Sequence, residues 1–213
     1  MLPDALGMGM TEKSVNSVSP AQTGAEPLDL DLQLRKAKSG DSQAFGAIYD
    51  RYAARIFNFV SHLAGSRQDA EDITQEAFFL AYRSLKNLRD HAHFEQWLYK
   101  IARNEIYKNQ RKTKSRPDSL DDADKGILQI LKSADPAGNP ENRLLSGELG
   151  KKIRAIFKSL PMQYKETLVL ATLQGLSYQE ISGILGRSLS SVKTDVYRAR
   201  LIISEKMRKY SSL

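Results

Sequence analysis

Cysteine is missing from this 213-residue chain altogether. That removes any disulfide framework and any thiolate metal site. Histidine is scarce, with three in all. Two of them, His91 and His93, stand two residues apart at a loop-to-helix boundary without a firm third ligand, short of the set that a closed metal site requires. Neither metal nor cofactor is therefore expected. No apolar run approaches the ~20 residues of a membrane span, so membrane insertion is not expected either. Met1 to Met10 lack a basic segment and a long apolar core, hence no signal peptide is read, and a cytoplasmic protein is expected. Strand-like alternation of any length is absent, as is an internal repeat. Nothing resembles an activated nucleophile or a phosphate-cradling glycine loop. The acids Asp69, Glu71, Asp72 and Glu76 cluster at a helix start, where dipole and capping effects explain them better than a carboxylate active site. The chain does not read as an enzyme.

What it does have is positive charge: 32 Lys and Arg against 25 Asp and Glu, for a net +7. That balance favours a polyanionic partner, either nucleic acid or an anionic membrane. The charge is carried on helical periodicity. Residues 1–27 are rich in Ser, Gly, Pro and small polar residues and read as a disordered tail, with Met8 and Met10 as alternative starts. Residues 28–114 read as helical throughout, broken at Gly40-Asp41 and Gly65-Ser66. Residues 115–140 hold Pro117, Pro136, Pro140, Gly138 and the acidic run Asp121-Asp122-Ala123-Asp124, a composition that suits a flexible acidic linker. Helical periodicity resumes near Glu141 and runs through 141–213, with Pro161 separating two helices. The expected fold is all-α: two small helical domains joined by a flexible linker.

Gly175 to Met207 is the most informative stretch. Ser177 and Glu180 make the Ser-x-x-Glu capping box of a helix, whose buried side is Ile181, Ile184 and Leu185. Gly186 sits where that helix must end, and Ser188 can cap the next. There Leu189, Val192, Val196, Ala199 and Ile203 form one apolar stripe. Ser190, Thr194, Tyr197 and Arg198 lie opposite, with Lys193 and Arg200 on one flank. These residue types hydrogen-bond base edges and phosphates. Asp195 is placed on the other flank, where it would repel a phosphate. Two helices so joined form a helix-turn-helix, with the second set to enter the DNA major groove.

In the N-terminal half, the helix from about Arg67 to Lys86 has a core stripe of Ala70, Ile73, Ala77, Leu80, Ala81 and, just beyond, Leu88. Asp72, Gln75, Phe79, Tyr82, Arg83 and Lys86 fall opposite. Aromatics on a polar face suggest a protein-binding surface; packing of Phe79 or Tyr82 under a neighbouring loop is the alternative. The next helix, through Lys112, turns Phe94, Leu98, Ala102 and Ile106 inward. Gln96, Lys100, Arg103, Asn104, Tyr107 and Arg111 face out, with Trp97 at the border as either core or stacking platform. Basic residues mixed with aromatics suit unstacked bases.

Together these segments resemble bacterial sigma factors of the sigma-70 family, specifically the extracytoplasmic-function (ECF) group. Asp69-Ala-Glu-Asp-Ile-Thr-Gln-Glu-Ala-Phe resembles that family's region 2 signature. Trp97-Leu98-Tyr99-Lys100-Ile101-Ala102-Arg103-Asn104 resembles the adjoining promoter-melting segment, and Leu160-Pro161 through Arg200 resembles region 4. The resemblance implies a region 2 helical bundle over 28–114 and a region 4 helix-turn-helix over 141–213. It implies that Asp72, Gln75, Phe79 and Arg83 bind the core RNA polymerase at the clamp helices of its largest subunit, with the flap as a further contact. Asn87, His91, Trp97, Lys100, Arg103, Asn104, Tyr107 and Arg111 would meet the −10 element as single-stranded DNA. Ser190, Lys193, Thr194, Tyr197, Arg198 and Arg200 would read the −35 element as duplex. Promoter DNA and an anti-sigma factor are the other implied partners, and a monomer the implied free state. Glu95 and Asp195 depart from the family's usual residues and put its phosphate contacts there in doubt. A stand-alone regulator with a LuxR-like helix-turn-helix is the competing reading, but residues 40–112 supply no alternating βα sensory domain.

Overall fold

The computed structural model describes the chain over residues 29–113 and 146–211, with side chains over 29–112 and 152–208. The expected tail at 1–27 and linker at 115–140 lie outside the described residues. Among those residues the regular elements are all helices.

Local rules set the helix boundaries. Asp29, Asp41 and Ser66 cap the starts of α1 (Leu30–Lys38), α2 (Ser42–Ser61) and α3 (Arg67–Ser84), each side-chain oxygen accepting from N–H groups of the first turn, which have no partner inside the helix. Two short 3-10 turns, Leu85–Asn87 and His91–His93, lead into α4 (Phe94–Thr113). α5 (Ser146–Lys158) and α6 (Met162–Thr172) are separated at Pro161. α7 (Tyr178–Leu185) opens on the expected capping box, since Ser177 accepts from the Glu180 amide while the Glu180 carboxylate accepts from Ser177 N–H at 2.8 Å. It closes at Gly186, whose φ of 64° is left-handed and cheap for glycine. α8 (Leu189–Ser211) follows, with the Ser191 amide donating to Ser188 Oγ at 3.2 Å.

α1 to α4 pack as a bundle around Leu34, Ile48, Ile56, Phe59, Phe94, Leu98, Tyr99 and Ile106, all fully buried. Edge-on aromatic pairs tie the helices: Tyr52 to Phe94 at 5.4 Å and Phe59 to Tyr99 at 5.3 Å. α6, α7 and α8 enclose Leu168, Val169, Leu170, Ile181, Ile184, Val192 and Ala199. The predicted stripes hold with local exceptions. Leu80 is half-buried, and Leu189 is exposed because it opens α8 before the helix reaches its neighbours. Thr74, Phe78 and Tyr99 are buried although the periodicity did not single them out. The two halves lie against each other, with α4 resting on α7.

Candidate nucleic-acid and polymerase faces

Three surfaces carry the predicted site residues. On α8, Ser190, Lys193, Thr194, Tyr197, Arg198 and Arg200 are all exposed, while Val192, Val196 and Ala199 anchor the opposite side. Tyr197 is 67% exposed, too open for a core residue. Thr194 Oγ1 donates to the Ser190 carbonyl at 2.9 Å.

Asp195 departs from expectation. Its side chain is buried, accepting from Gln163 Nε2 at 2.8 Å and from Arg187 at 3.0 Å. It therefore faces α6 rather than the exposed flank of α8. The structure thus overturns the reading of Asp195 as a phosphate-repelling residue. The physical reason is pairing: a carboxylate enters a helix interface when its charge is met there by a guanidinium and an amide. Glu95, the other departure, lies 2.7 Å from Arg55.

On α3, Asp72, Gln75, Phe79 and Arg83 are exposed on one face. Phe79 is 52% exposed and the Arg83 guanidinium lies 5.5 Å from its ring centre. Tyr82 leans on Phe45 across to α2, 4.9 Å between centres. The packing alternative thus applies in part to Tyr82, through a helix rather than a loop, while Phe79 stays open.

On α4, Arg103, Asn104, Tyr107, Lys108 and Arg111 line an open groove of about 460 Å³. Lys100 is exposed, and Trp97 is half-buried against Phe94, 5.9 Å between centres. Asn87 is exposed in the loop before α4. The loop is fastened to α1: Lys38 Nζ donates to the Leu88 carbonyl, and His91 Nδ1 meets Asp31 at 2.5 Å. His93 pairs with Asp90 at 2.7 Å. These hydrogen bonds hold the Asp31 and Asp90 carboxyls below the usual carboxylate range. Both histidines are thus engaged by carboxylates, and no cluster of three His, Cys, Asp or Glu suited to a metal occurs among the described residues.

Sequence reasoning missed Glu166. It is fully buried and accepts from Arg103 Nε at 2.8 Å, Tyr107 Oη at 3.0 Å and Arg187 at 2.6 Å. Burial disfavours charge on Arg103, but the hydrogen bond and charge of Glu166 outweigh it and raise the guanidinium's pKa. Burial, with the Glu166 charge behind it, also raises the Tyr107 phenol. No motif marked Glu166, because its partners lie 63 and 59 positions away on α4 and 21 positions away before α8.

Residues 48–116 match the Sigma-70 region 2 family and residues 150–203 the Sigma-70, region 4 family. The ECF RNA polymerase sigma-E factor of Escherichia coli (strain K12) is 33% identical over 187 residues, covering 86% of this chain and 97% of that protein. Its counterpart in Haemophilus influenzae is 31% identical over 189 residues, covering 86% and 98%. The chain belongs to the ECF sigma factors. It is a transcription initiation factor that recognises promoters for RNA polymerase, and not an enzyme. Two solved structures share the fold. CnrH, in complex with the cytosolic domain of CnrY, superposes with a TM-score of 0.62 at 21% identity, over 84% of this sigma factor and 97% of CnrH. RpoE in complex with the anti-sigma factor NepR from Bartonella quintana gives 0.56 at 22%, over 77% and 96%. No helix among the described residues of the sigma factor is long and apolar enough to cross a membrane.

Proposed function

We propose that the three faces divide the work of initiation. The α8 face, with Ser190, Lys193, Thr194, Tyr197, Arg198 and Arg200, enters the major groove of the −35 element. The α4 groove, with Arg103, Asn104, Tyr107 and Arg111, receives the unpaired strand of the −10 element, and Lys100, Trp97, Asn87 and His91 extend that surface. The α3 face, with Asp72, Gln75, Phe79 and Arg83, docks the clamp helices of the polymerase's largest subunit. The observation that carries this reading is the register of α8: six polar or basic side chains are exposed on the helix after the Gly186 turn, while its apolar residues Val192, Val196 and Ala199 are buried.

The chemistry is binding alone. Arg198 and Lys193 offer hydrogen-bond donors to base edges and phosphates. Extruding a base from the −10 duplex costs a few kcal/mol. Cations and stacking surfaces preset on α4 offset that cost, so no nucleotide hydrolysis is needed. An anti-sigma factor is the partner proposed to restrain the protein, as partners of that kind are bound in the RpoE structure. The protein works in the cytoplasm, where the polymerase is.

In vitro transcription tests the whole reading. Core RNA polymerase is assayed with and without the protein on a library of promoter fragments. New, sequence-selective starts are expected. With active core and folded protein as controls, no gain in initiation together with no complex with core would sink it.

A further inference from the structure

Asp195 stands within the first turns of α8, between Thr194 and Tyr197 of the exposed row, yet its side chain is buried. Both carboxylate oxygens are engaged, each from a fixed direction. Oδ1 accepts from Gln163 Nε2 of α6 at 2.8 Å, and Oδ2 accepts from Arg187 Nη1 at 3.0 Å. The other arm of the Arg187 fork, Nη2, donates to Glu166 of α6 at 2.6 Å. The Arg187 backbone is pinned as well: its carbonyl accepts from Ser182 Oγ of α7, and its amide donates to the Ser182 carbonyl at 3.3 Å. One residue of the turn thus grips α6, α7 and α8 at once. The apolar side of α8 cannot do the same. Val192, Val196 and Ala199 are small, and apolar burial is non-directional. Such contacts set how deep a helix lies but let it slide and turn. Hydrogen bonds between a planar guanidinium and carboxylates fix angle as well as distance.

We propose that Arg187 and Asp195 are positioning residues for −35 recognition: they touch no DNA, and they set the tilt and register at which α8 offers Thr194, Tyr197 and Arg198 to base edges. The inference rests on the reading of α8 as the −35 helix. Reading a base edge needs side chains held within roughly half an ångström of the productive geometry, because the donor and acceptor pattern of a base pair is matched point by point. Phosphate contacts ask less. Lys193 and Arg200 are long and exposed, and their flexible stems follow a tilted helix. The network therefore acts on sequence choice and leaves the pull of the phosphate backbone as it is.

The test uses the full-length chain assembled with core RNA polymerase. The probe is a pool of promoter fragments whose upstream duplex is randomised over one helical turn, roughly 10 base pairs. Sequencing the fragments that the complex retains gives the selected sequence and its stringency. Asp195→Ala, Arg187→Lys and Asp195→Asn are compared with the parent, each first checked for parental helix content by circular dichroism. Lysine keeps the charge but cannot fork onto two acids. Asparagine can accept from Arg187 and, with its amide turned, donate to Gln163. Expected are a loss of stringency of about tenfold in Asp195→Ala and Arg187→Lys, on the scale of one base contact, with affinity for the unselected pool unchanged. Asp195→Asn should restore near-parental selection. Mere instability would lower the folded fraction and weaken every fragment alike, so it would leave the selected sequence untouched. If Asp195→Ala does not fold, Arg187→Lys carries the comparison. Parental sequence and stringency in every folded variant, alongside a changed selection in Arg198→Ala, overturn the positioning and leave α8 as the −35 helix. No selection of upstream sequence by the parent, in a complex that forms, overturns the −35 assignment and the positioning with it.

Discussion

Replacing Asp195 by alanine separates a structural acid from a DNA-facing one. Asp195 is buried against Arg187 and Gln163, so its loss leaves a guanidinium short of a partner. The cost should be about 3 kcal/mol of unfolding free energy in denaturant titration. The slope of −35 affinity against salt should stay the same, because no phosphate contact is made or lost. Arg198→Ala should do the reverse: leave stability within about 0.5 kcal/mol, weaken duplex binding by about 1–3 kcal/mol and flatten preference at one base position. Promoter affinity unchanged in that variant would move the register of α8. His62 supplies a pH test. Its Nδ1 donates to the Asn58 carbonyl at 2.7 Å, and Nε2 is buried without a partner. Burial pushes its pKa down, against a lesser upward pull from that hydrogen bond. The unfolded chain takes the proton near the ordinary value of about 6.5, so the fold binds fewer protons than the unfolded chain below that pH. Stability should fall as pH drops below about 6.5. In His62→Gln the drop in melting temperature between neutral and mildly acidic pH should shrink; an identical drop would rule His62 out as its source.

At the scale of the element, α7 of the helix-turn-helix is bounded by two residues, Ser177, whose side chain caps its start, and Gly186, whose left-handed backbone closes it. Ser177→Ala should cost about 1 kcal/mol by removing the α7 cap, with amide exchange of the first turn of α7 as the local readout. That part of the structure was legible in the sequence, because caps, turn glycines and apolar spacing act over three or four positions. The exposed rows on α3 and α8 were legible for the same reason. Tyr99 was not: it sits one place from Leu98, off the inward row, and is buried because Phe59 on α2 packs edge-on against its ring. Asp195 was misread because spacing places a residue on a flank without showing that Arg187 waits across it. Glu166 escaped for a stronger reason, since its meaning lies in α4, and that neighbour is fixed only when the two halves meet.

For the whole molecule, the division into faces predicts separable losses. Asp72→Ala with Gln75→Ala should weaken binding to core polymerase by about tenfold or more, on the scale of two interface positions, while −35 duplex binding persists. Both side chains are exposed on α3. Native mass spectrometry of the core complex and anisotropy on duplex DNA read the two halves of that claim. Loss of duplex binding in place of core binding would mean the α3 face is misassigned.

Glu166 is at once an internal strut of region 4, through Arg187, and the residue set over the α4 groove. Such a shared residue makes the two halves answer to one another in unfolding. A change at Glu166 is felt on α4 and before α8 at once. The losses from Arg103→Ala and Arg187→Ala should therefore fail to add in a double-mutant cycle, because each removes a partner of the same carboxylate.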